Sequence, residues 1–182
     1  MIKLNHPPRF RDIPQFNLHV AYSVDVSWSF LPKWLKQEFE DGHLDMDPDF
    51  QRGHVWTLEK QSAFVEFMLR GGDSSRNIYF NCAGYMQPSE STEYVLVDGK
   101  QRLTAVTKFL DNQVPVFNGY YFNDFQDRPT SLRFRININN LETRAEVLQW
   151  YIDLNTGGVV HSKEEIDRVK LLLEEELNKG KS

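Results

Sequence analysis

Apolar residues recur along this chain with two different periods. Alternation, or a run of β-branched and aromatic residues, predicts strands at 22–26, 77–82, 93–97 and 133–138. Apolar residues three and four positions apart predict helices at 29–40, 58–70, 100–111, 142–153 and from 162 onward. Asn118-Gly119 predicts the turn of a hairpin within 114–122. Strands and helices therefore interleave along the chain, which predicts an α/β fold.

The same spacing predicts which side chains the first two helices bury. In the first helix, where Pro32 is tolerated in the first turn, the expected core-facing residues are Phe30, Leu31, Trp34, Leu35 and Phe39. In the second helix they are Phe64, Phe67 and Met68. Thr57 is the expected N-cap of the second helix, because its hydroxyl can accept a bond from a free N–H of the first turn.

Length and composition add the domain organisation. A chain of 182 residues suits one domain, which we expect at 21–178, after an extended Pro-rich arm at 1–20. Cys82 is the single cysteine and cannot form an internal disulfide, and no signal-peptide pattern is present. No run of about 18 apolar residues exists, so we expect no membrane span. These features are typical of a soluble, cytoplasmic protein.

The charge of the chain bears on nucleic-acid binding. The formal net charge is -5, which disfavours non-specific binding because phosphate contacts supply most of that affinity. Arg128, Arg133 and Arg135 are close in sequence and are a candidate DNA contact. The favoured interpretation of these arginines is a solvated strand face, since Asp124 and Asp127 precede them.

The sharpest candidate for chemistry lies between the strand at 93–97 and the helix at 100–111. It reads Asp98-Gly99-Lys100-Gln101-Arg102. A helix N-terminus presents unpaired N–H groups and partial positive charge, which favour phosphate. Gly99 permits close approach of a ligand, Arg102 can bind phosphate through a fork of donors, and Asp98 can hold Mg²⁺. The alternative, equally supported by spacing, makes Asp98 an N-cap and leaves Lys100 and Arg102 as solvated surface.

A second candidate is the loop at 50–56. Gln51 and Arg52 are residue types that contact a base or a phosphate, and His54 is one that exchanges protons near neutral pH. Considered alone, the segment is better explained as a loop pinned by Phe50 and Trp56, with Arg52 in a salt bridge.

A third candidate is Asn155-Thr156-Gly157-Gly158, which we expect to be a loop before a helix that opens with a capping box at 162–165. Two glycines leave room for a ligand, although an ordinary helix–helix connection is the default. Other classes of site are excluded, because the chain has no GxxxxGK[ST] stretch, no GxGxxG after a strand, and no cysteine and histidine grouping for zinc.

The three candidates in this order resemble one known family. The residues that carry the resemblance are Asp49-Phe50-Gln51-Arg52 with Val55-Trp56, then Val97-Asp98-Gly99-Lys100-Gln101-Arg102-Leu103-Thr104, then Leu154-Asn155-Thr156-Gly157-Gly158 with Ser162 and Glu165. They are similar to the N-terminal domain of GmrSD-type, modification-dependent (type IV) restriction enzymes, over roughly 20–175. The resemblance implies a ParB/sulfiredoxin-like fold, that is, a small mixed sheet flanked by helices.

The resemblance also implies nucleotide binding and nucleoside triphosphate hydrolysis. The usual central motif of the family is Asp-Gly-Gln-Gln-Arg, and here Lys100 occupies the third position. By residue matching, the implied catalytic residues are Asp98, Gln101 and Arg102, and Asp98 also holds Mg²⁺. The implied nucleotide-binding residues are Gln51, Arg52, Gly99, Asn155 and Gly157. Lys100 departs from the motif, and we assign it to nucleotide binding because a lysine there can add a phosphate contact; the alternative leaves it outside the site.

Three functions are compatible with these residues. The preferred one is a domain that binds, and slowly hydrolyses, a nucleoside triphosphate with Mg²⁺ in a system that restricts or protects DNA. The second is a binding module that has lost turnover and acts through DNA or a nuclease-domain partner protein. The third is a metal-dependent DNA nickase. Larger family members carry a C-terminal HNH nuclease domain, and no such motif is visible here, so we expect no DNA cleavage by this chain alone.

Overall fold

The computed structural model describes residues 20–40, 44–51, 53, 56–85, 93–129, 131–156 and 163–179. The strands are β1 Val20–Ser27, β2 Leu44–Asp45, β3 Asn77–Asn81, β4 Tyr94–Asp98 and β5 Arg133–Asn139. The helices are α1 Leu31–Glu40, α2 Leu58–Leu69, α3 Lys100–Leu110, α4 Arg144–Thr156 and α5 Lys163–Lys179, and a 3-10 turn lies at Phe122–Asp124. Within these ranges, every helix is too short or too polar to cross a membrane.

The strands form one mixed sheet in the order β1-β5-β3-β4-β2. β1 pairs antiparallel with β5, β5 pairs parallel with β3, β3 antiparallel with β4, and β4 parallel with β2. Two parallel neighbours cannot be joined by a tight turn and need a long connection. The connection between the parallel neighbours β2 and β4 contains α2 and β3. The predicted α/β fold with a mixed sheet and flanking helices is confirmed.

Apolar side chains lie on both faces of the sheet. Leu96 of β4 belongs to a large core with Ile78, Phe80 and the buried residues of α2 and α3. Val97, the next residue, points to the other face and packs in a second cluster with α4 and α5. Because successive side chains of a strand alternate between faces, a strand covered on both sides is apolar at every position. This explains the continuous apolar run of β4 and places its end between two layers of helices.

The helix boundaries agree with the predictions more closely than the buried faces do. Thr57 is the N-cap of α2, as predicted, and its side chain accepts a bond from the Lys60 N–H. Phe30 and Phe39 were predicted to face the core but are 48% and 70% exposed, and Phe67 is 43% exposed. The buried residues of α2 are Gln61, Phe64, Val65 and Met68, and the stripe is centred between Gln61 and Met68 on the helix circumference. At about 100° per residue, Phe67 lies roughly 110° from that centre, outside the stripe.

The structure corrects the turns and loops further. The hairpin predicted within 114–122 is reduced to one bridge between Val116 and Tyr120, because Phe117, Asn118 and Gly119 all have positive φ and turn the chain at once. Asn155 and Thr156, predicted as loop, form the last turn of α4. The short strand β2 was not predicted. The arm at 1–19 and the segment 157–162 lie outside the described residues.

Candidate functional site

Gly99 joins the end of β4 to the beginning of α3. Its φ is +105°, and a Cβ at this position would lie 2.5 Å from Cδ1 and 3.3 Å from Cα of Ile78. Gly99 is the N-cap of α3, so the interpretation of Asp98 as the cap is wrong. The Leu103 N–H makes the first helical bond, to the Gly99 carbonyl. The end of the helix with the positive dipole therefore lies at residues 100–102.

Asp98 and Arg102 form an ion pair across this junction. The Arg102 guanidinium donates from Nη2 to the Asp98 carboxylate and from Nη1 to the Ser75 carbonyl. The Arg102 side chain is 19% exposed and that of Asp98 is 28% exposed. Arg102 is therefore held at the first turn of α3, and its interpretation as solvated surface is wrong.

Lys100 has its own acidic partner. Its ammonium pairs with the Asp47 carboxylate, in the loop after β2, and its side chain is 13% exposed. Lys100 is thus no solvated surface residue either. Lys100 thus connects the beginning of α3 to the loop that carries Gln51.

Gln101 and Gln51 fix that loop to the sheet and to α3. The Gln101 side chain accepts a bond from the Trp56 N–H at 3.1 Å and donates to the Gly53 carbonyl at 3.2 Å. Gln51 donates from Nε2 to the Leu96 carbonyl, two residues before Asp98. The structure therefore brings Gln51 and residues 98–102 together. Arg52 and His54 lie outside the described residues.

Phe50 and Trp56, at the two ends of the loop, both pack against other aromatic rings, as expected for a loop that these residues pin. The Phe50 side chain is 2% exposed and meets the Tyr151 ring of α4 at 5.4 Å between centroids. Trp56 meets Phe64 of α2 at 5.3 Å. The loop is therefore anchored by its two aromatic residues while its polar residues approach α3.

The third candidate motif was predicted as a loop, but its residues Asn155 and Thr156 form the end of α4. Asn155 is 8% exposed, and its Nδ2 donates to the Tyr151 carbonyl one turn earlier in α4. The Tyr151 hydroxyl donates to Glu165, a buried carboxylate in the first turn of α5, at 2.7 Å. Gly157 lies outside the described residues.

Four further residues of the site were missed by the sequence analysis. Asp47 and Asp49 are partners of Lys100 and Arg144, and Arg168 donates to two loop carbonyls. The partners of these bonds are 53, 95 and up to 119 residues apart in the chain. No local pattern can indicate such pairs, and only the opposite charges of the residues are visible in the sequence.

Metal ligands, cavities and titration complete the description. Among the described residues, no group of three His, Cys, Asp or Glu side chains is arranged to hold a metal ion. Cavities of about 150 Å³ beside Phe109 and about 360 Å³ beside Glu66 lie away from the beginning of α3.

At the beginning of α4, hydrogen bonds from Thr143 hold the pKa of Glu146 below its usual value.

Comparisons with known proteins gave one match. The family model described as the N-terminal domain of GmrSD restriction endonuclease matches residues 33–143, more than half of the chain. No curated protein and no solved structure matches the chain significantly. The matched segment contains Gln51 and residues 98–102, while Asn155 and Arg168 lie beyond it. The likeness to the ParB/sulfiredoxin fold stays a prediction.

Proposed function

The chain belongs to the family of GmrSD restriction endonuclease N-terminal domains, and from this premise we propose that it binds a nucleoside triphosphate at the beginning of α3. The observation that supports the proposal is the Gly99 junction. A left-handed glycine packed on Ile78 starts a helix of 11 residues, and the helix dipole favours an anion at this end. The association of the family with DNA restriction supplies the biological setting.

In this proposal, the phosphates lie at the first turn of α3. The backbone N–H groups of Lys100 and Gln101 point along the helix axis, where the helix dipole favours an anion. Lys100 contributes its backbone N–H, since its ammonium is bound to Asp47.

Arg102 provides the positive charge. Its guanidinium has five donors in a planar fork, and the described bonds to Asp98 and Ser75 hold it over the first turn. Binding of a phosphate lets the same guanidinium contact a second anion while Asp98 keeps its orientation. Asp98 is the residue we assign to orienting water or the metal.

Two further walls complete the proposed site. Gln51 is assigned to the wall opposite α3, and Gln101 holds the loop that follows it through Gly53 and Trp56. Asn155, in the last turn of α4, is assigned to the third side. By their match to the family motifs, we assign Arg52 and Gly157 to the same two sides, although both lie outside the described residues.

Magnesium fits this site as a companion of the triphosphate. Mg²⁺ typically binds proteins through one or two carboxylates together with substrate phosphates and water. Asp98 is the carboxylate that would hold it, and the ion would supply neutralisation of phosphate charge. No dedicated cage of three ligands is present among the described residues.

One observation favours a second function, nucleotide binding without turnover. Both polar atoms of the Gln101 amide are bonded to the loop backbone, and Asp98 is bonded to Arg102. Residues that are occupied in this way are suited to building a site, whereas hydrolysis needs a group that is available to position the attacking water. The module would then act through DNA or a nuclease-domain partner protein. No observation on the described residues favours the nickase.

Calorimetric titration with each of the four ribonucleoside triphosphates and Mg²⁺ tests the proposal. We expect micromolar binding of at least one nucleotide to the wild-type chain and loss of that binding in Arg102→Ala. Lys108→Ala, at the other end of the same helix, is the matched control and should bind as the wild type does. Absence of binding by the wild-type chain to all four nucleotides would overturn the proposal. Phosphate release, measured on the same samples, separates hydrolysis from binding alone.

A further inference from the structure

The turn Pro48–Gln51 has an unusual support from the far end of the chain. The Gln51 N–H bonds to the Pro48 carbonyl at 2.9 Å, which closes a four-residue turn. The two carbonyls inside it, Asp49 and Phe50, both accept from Arg168 of α5, at 2.8 Å from Nη1 and 2.7 Å from Nη2. Consecutive carbonyls point in opposite directions in an extended chain, so a single guanidinium can bridge them only when the chain turns.

The turn sets the position of Gln51. Gln51 follows Phe50 directly and bonds to the Leu96 carbonyl of β4. Phe50 is buried against Tyr151, which orients the turn from its other side. The bonds from Arg168 and the contact between Phe50 and Tyr151 together determine where Gln51 lies relative to the end of β4.

We propose that Arg168 is a positioning residue for the candidate site. It acts on the loop of Gln51 and touches none of the residues 98–102 in the described bonds. The assignment rests on the proposed nucleotide binding, and it extends the site to α5, which lies outside the segment matched by the family model. Arginine is required because lysine, with one nitrogen, cannot bridge two carbonyls with the same geometry.

Hydrogen exchange of the Gln51 amide tests this role without any nucleotide. In Arg168→Ala we expect Gln51 to exchange faster, on the order of tenfold, since two bonds from a charged donor are lost. Arg168→Lys should give exchange between that of Arg168→Ala and that of the wild type. Lys170→Ala, an exposed position on the same helix, should leave Gln51 unchanged. The melting temperature of each variant checks that the fold is kept.

Nucleotide binding by the same variants gives the second readout. We expect a weaker Kd, on the order of tenfold, in Arg168→Ala and a smaller loss in Arg168→Lys. Unchanged Gln51 exchange in Arg168→Ala, or full restoration by lysine, would overturn the positioning role. If the wild-type chain binds no nucleotide, the proposed function fails, and the exchange result alone still decides the role of Arg168.

Discussion

A Cβ atom on Gly99 would lie 2.5 Å from Cδ1 of Ile78 and 3.3 Å from the Ile78 Cα. Ile78 is fully buried in the middle of the sheet, so its backbone cannot move away. The contact couples the beginning of α3 to β3 and leaves glycine as the one residue that fits the junction.

Gly99→Ala should therefore destabilise the protein through two effects, the positive φ of 105° and the overlap with Ile78. We expect a loss of about 2–4 kcal/mol in the free energy of unfolding. Gly71→Ala is the matched control, because Gly71 has φ of +89° and nothing within 4 Å of its Cβ position. The control should lose about 1 kcal/mol, from backbone strain alone. Urea unfolding measures both, and equal losses would contradict the role of Ile78.

The ion pair of Asp98 and Arg102 should be measurable in a double-mutant cycle. Because both side chains are less than a third exposed, we expect a coupling of about 1 kcal/mol between Asp98→Asn and Arg102→Gln. The pair Lys36 and Glu40, also four residues apart but both within helix α1 and 74% and 63% exposed, should couple by about 0.3–0.5 kcal/mol. Denaturant unfolding at low ionic strength gives both values. A coupling free energy of Asp98 and Arg102 no larger than that of the control pair would show that partial burial at the junction does not strengthen the ion pair.

Lys100→Gln should change nucleotide binding little. The Lys100 ammonium is bound to Asp47, and the backbone N–H that we assign to phosphate is kept in the variant. We expect a change in Kd of less than about threefold, well below the effect of Arg102→Ala. A loss comparable to that of Arg102→Ala in the same titration would show that the ammonium itself contacts phosphate.

Gln101→Ala should loosen the loop without unfolding the protein. The variant removes the acceptor of the Trp56 N–H and the donor to the Gly53 carbonyl. We expect the Trp56 amide to exchange with solvent about tenfold faster, while the amides of β4 keep their protection. Gln149→Ala, where the amide bonds to Asp153 on the exposed side of α4, is the control and should leave Trp56 unaffected. Unchanged exchange at Trp56 would remove the link between the two motifs.

Stability should fall in alkaline solution through Cys82. Burial raises the pKa of the Cys82 thiol from 9.0 to about 11. Between these values the unfolded chain releases the thiol proton while the folded chain keeps it, so rising pH favours unfolding. We expect Cys82→Ala to reduce the loss of stability between about pH 9 and pH 11, as measured by urea midpoints. Burial also raises the pKa of Tyr94, to about 12, so part of the alkaline loss should persist in the variant.

The sequence predicted most elements but fewer of the buried faces. The strand–glycine–helix junction and the Thr57 cap were predictable, because a left-handed glycine and a capping hydroxyl act on residues within a few positions of themselves. Phe39 and Phe67 were predicted wrongly, because burial depends on which part of a helix meets the sheet, and helical spacing alone does not specify that. Asn155 was predicted as loop, yet its bond to the Tyr151 carbonyl helps to extend α4 by another turn.

By itself, then, the sequence determined the order of the helices and of every strand except β2, the glycine turn between β4 and α3, and the family to which the chain belongs. These properties depend on residue types and short spacings. The tertiary structure alone decided that Lys100 binds Asp47, that Gln101 holds Gly53 and Trp56, and that Arg168 caps the turn before Gln51. Each of these bonds joins residues that are far apart in the chain. Their partners are chosen by the packing of the sheet and helices, which no local pattern records.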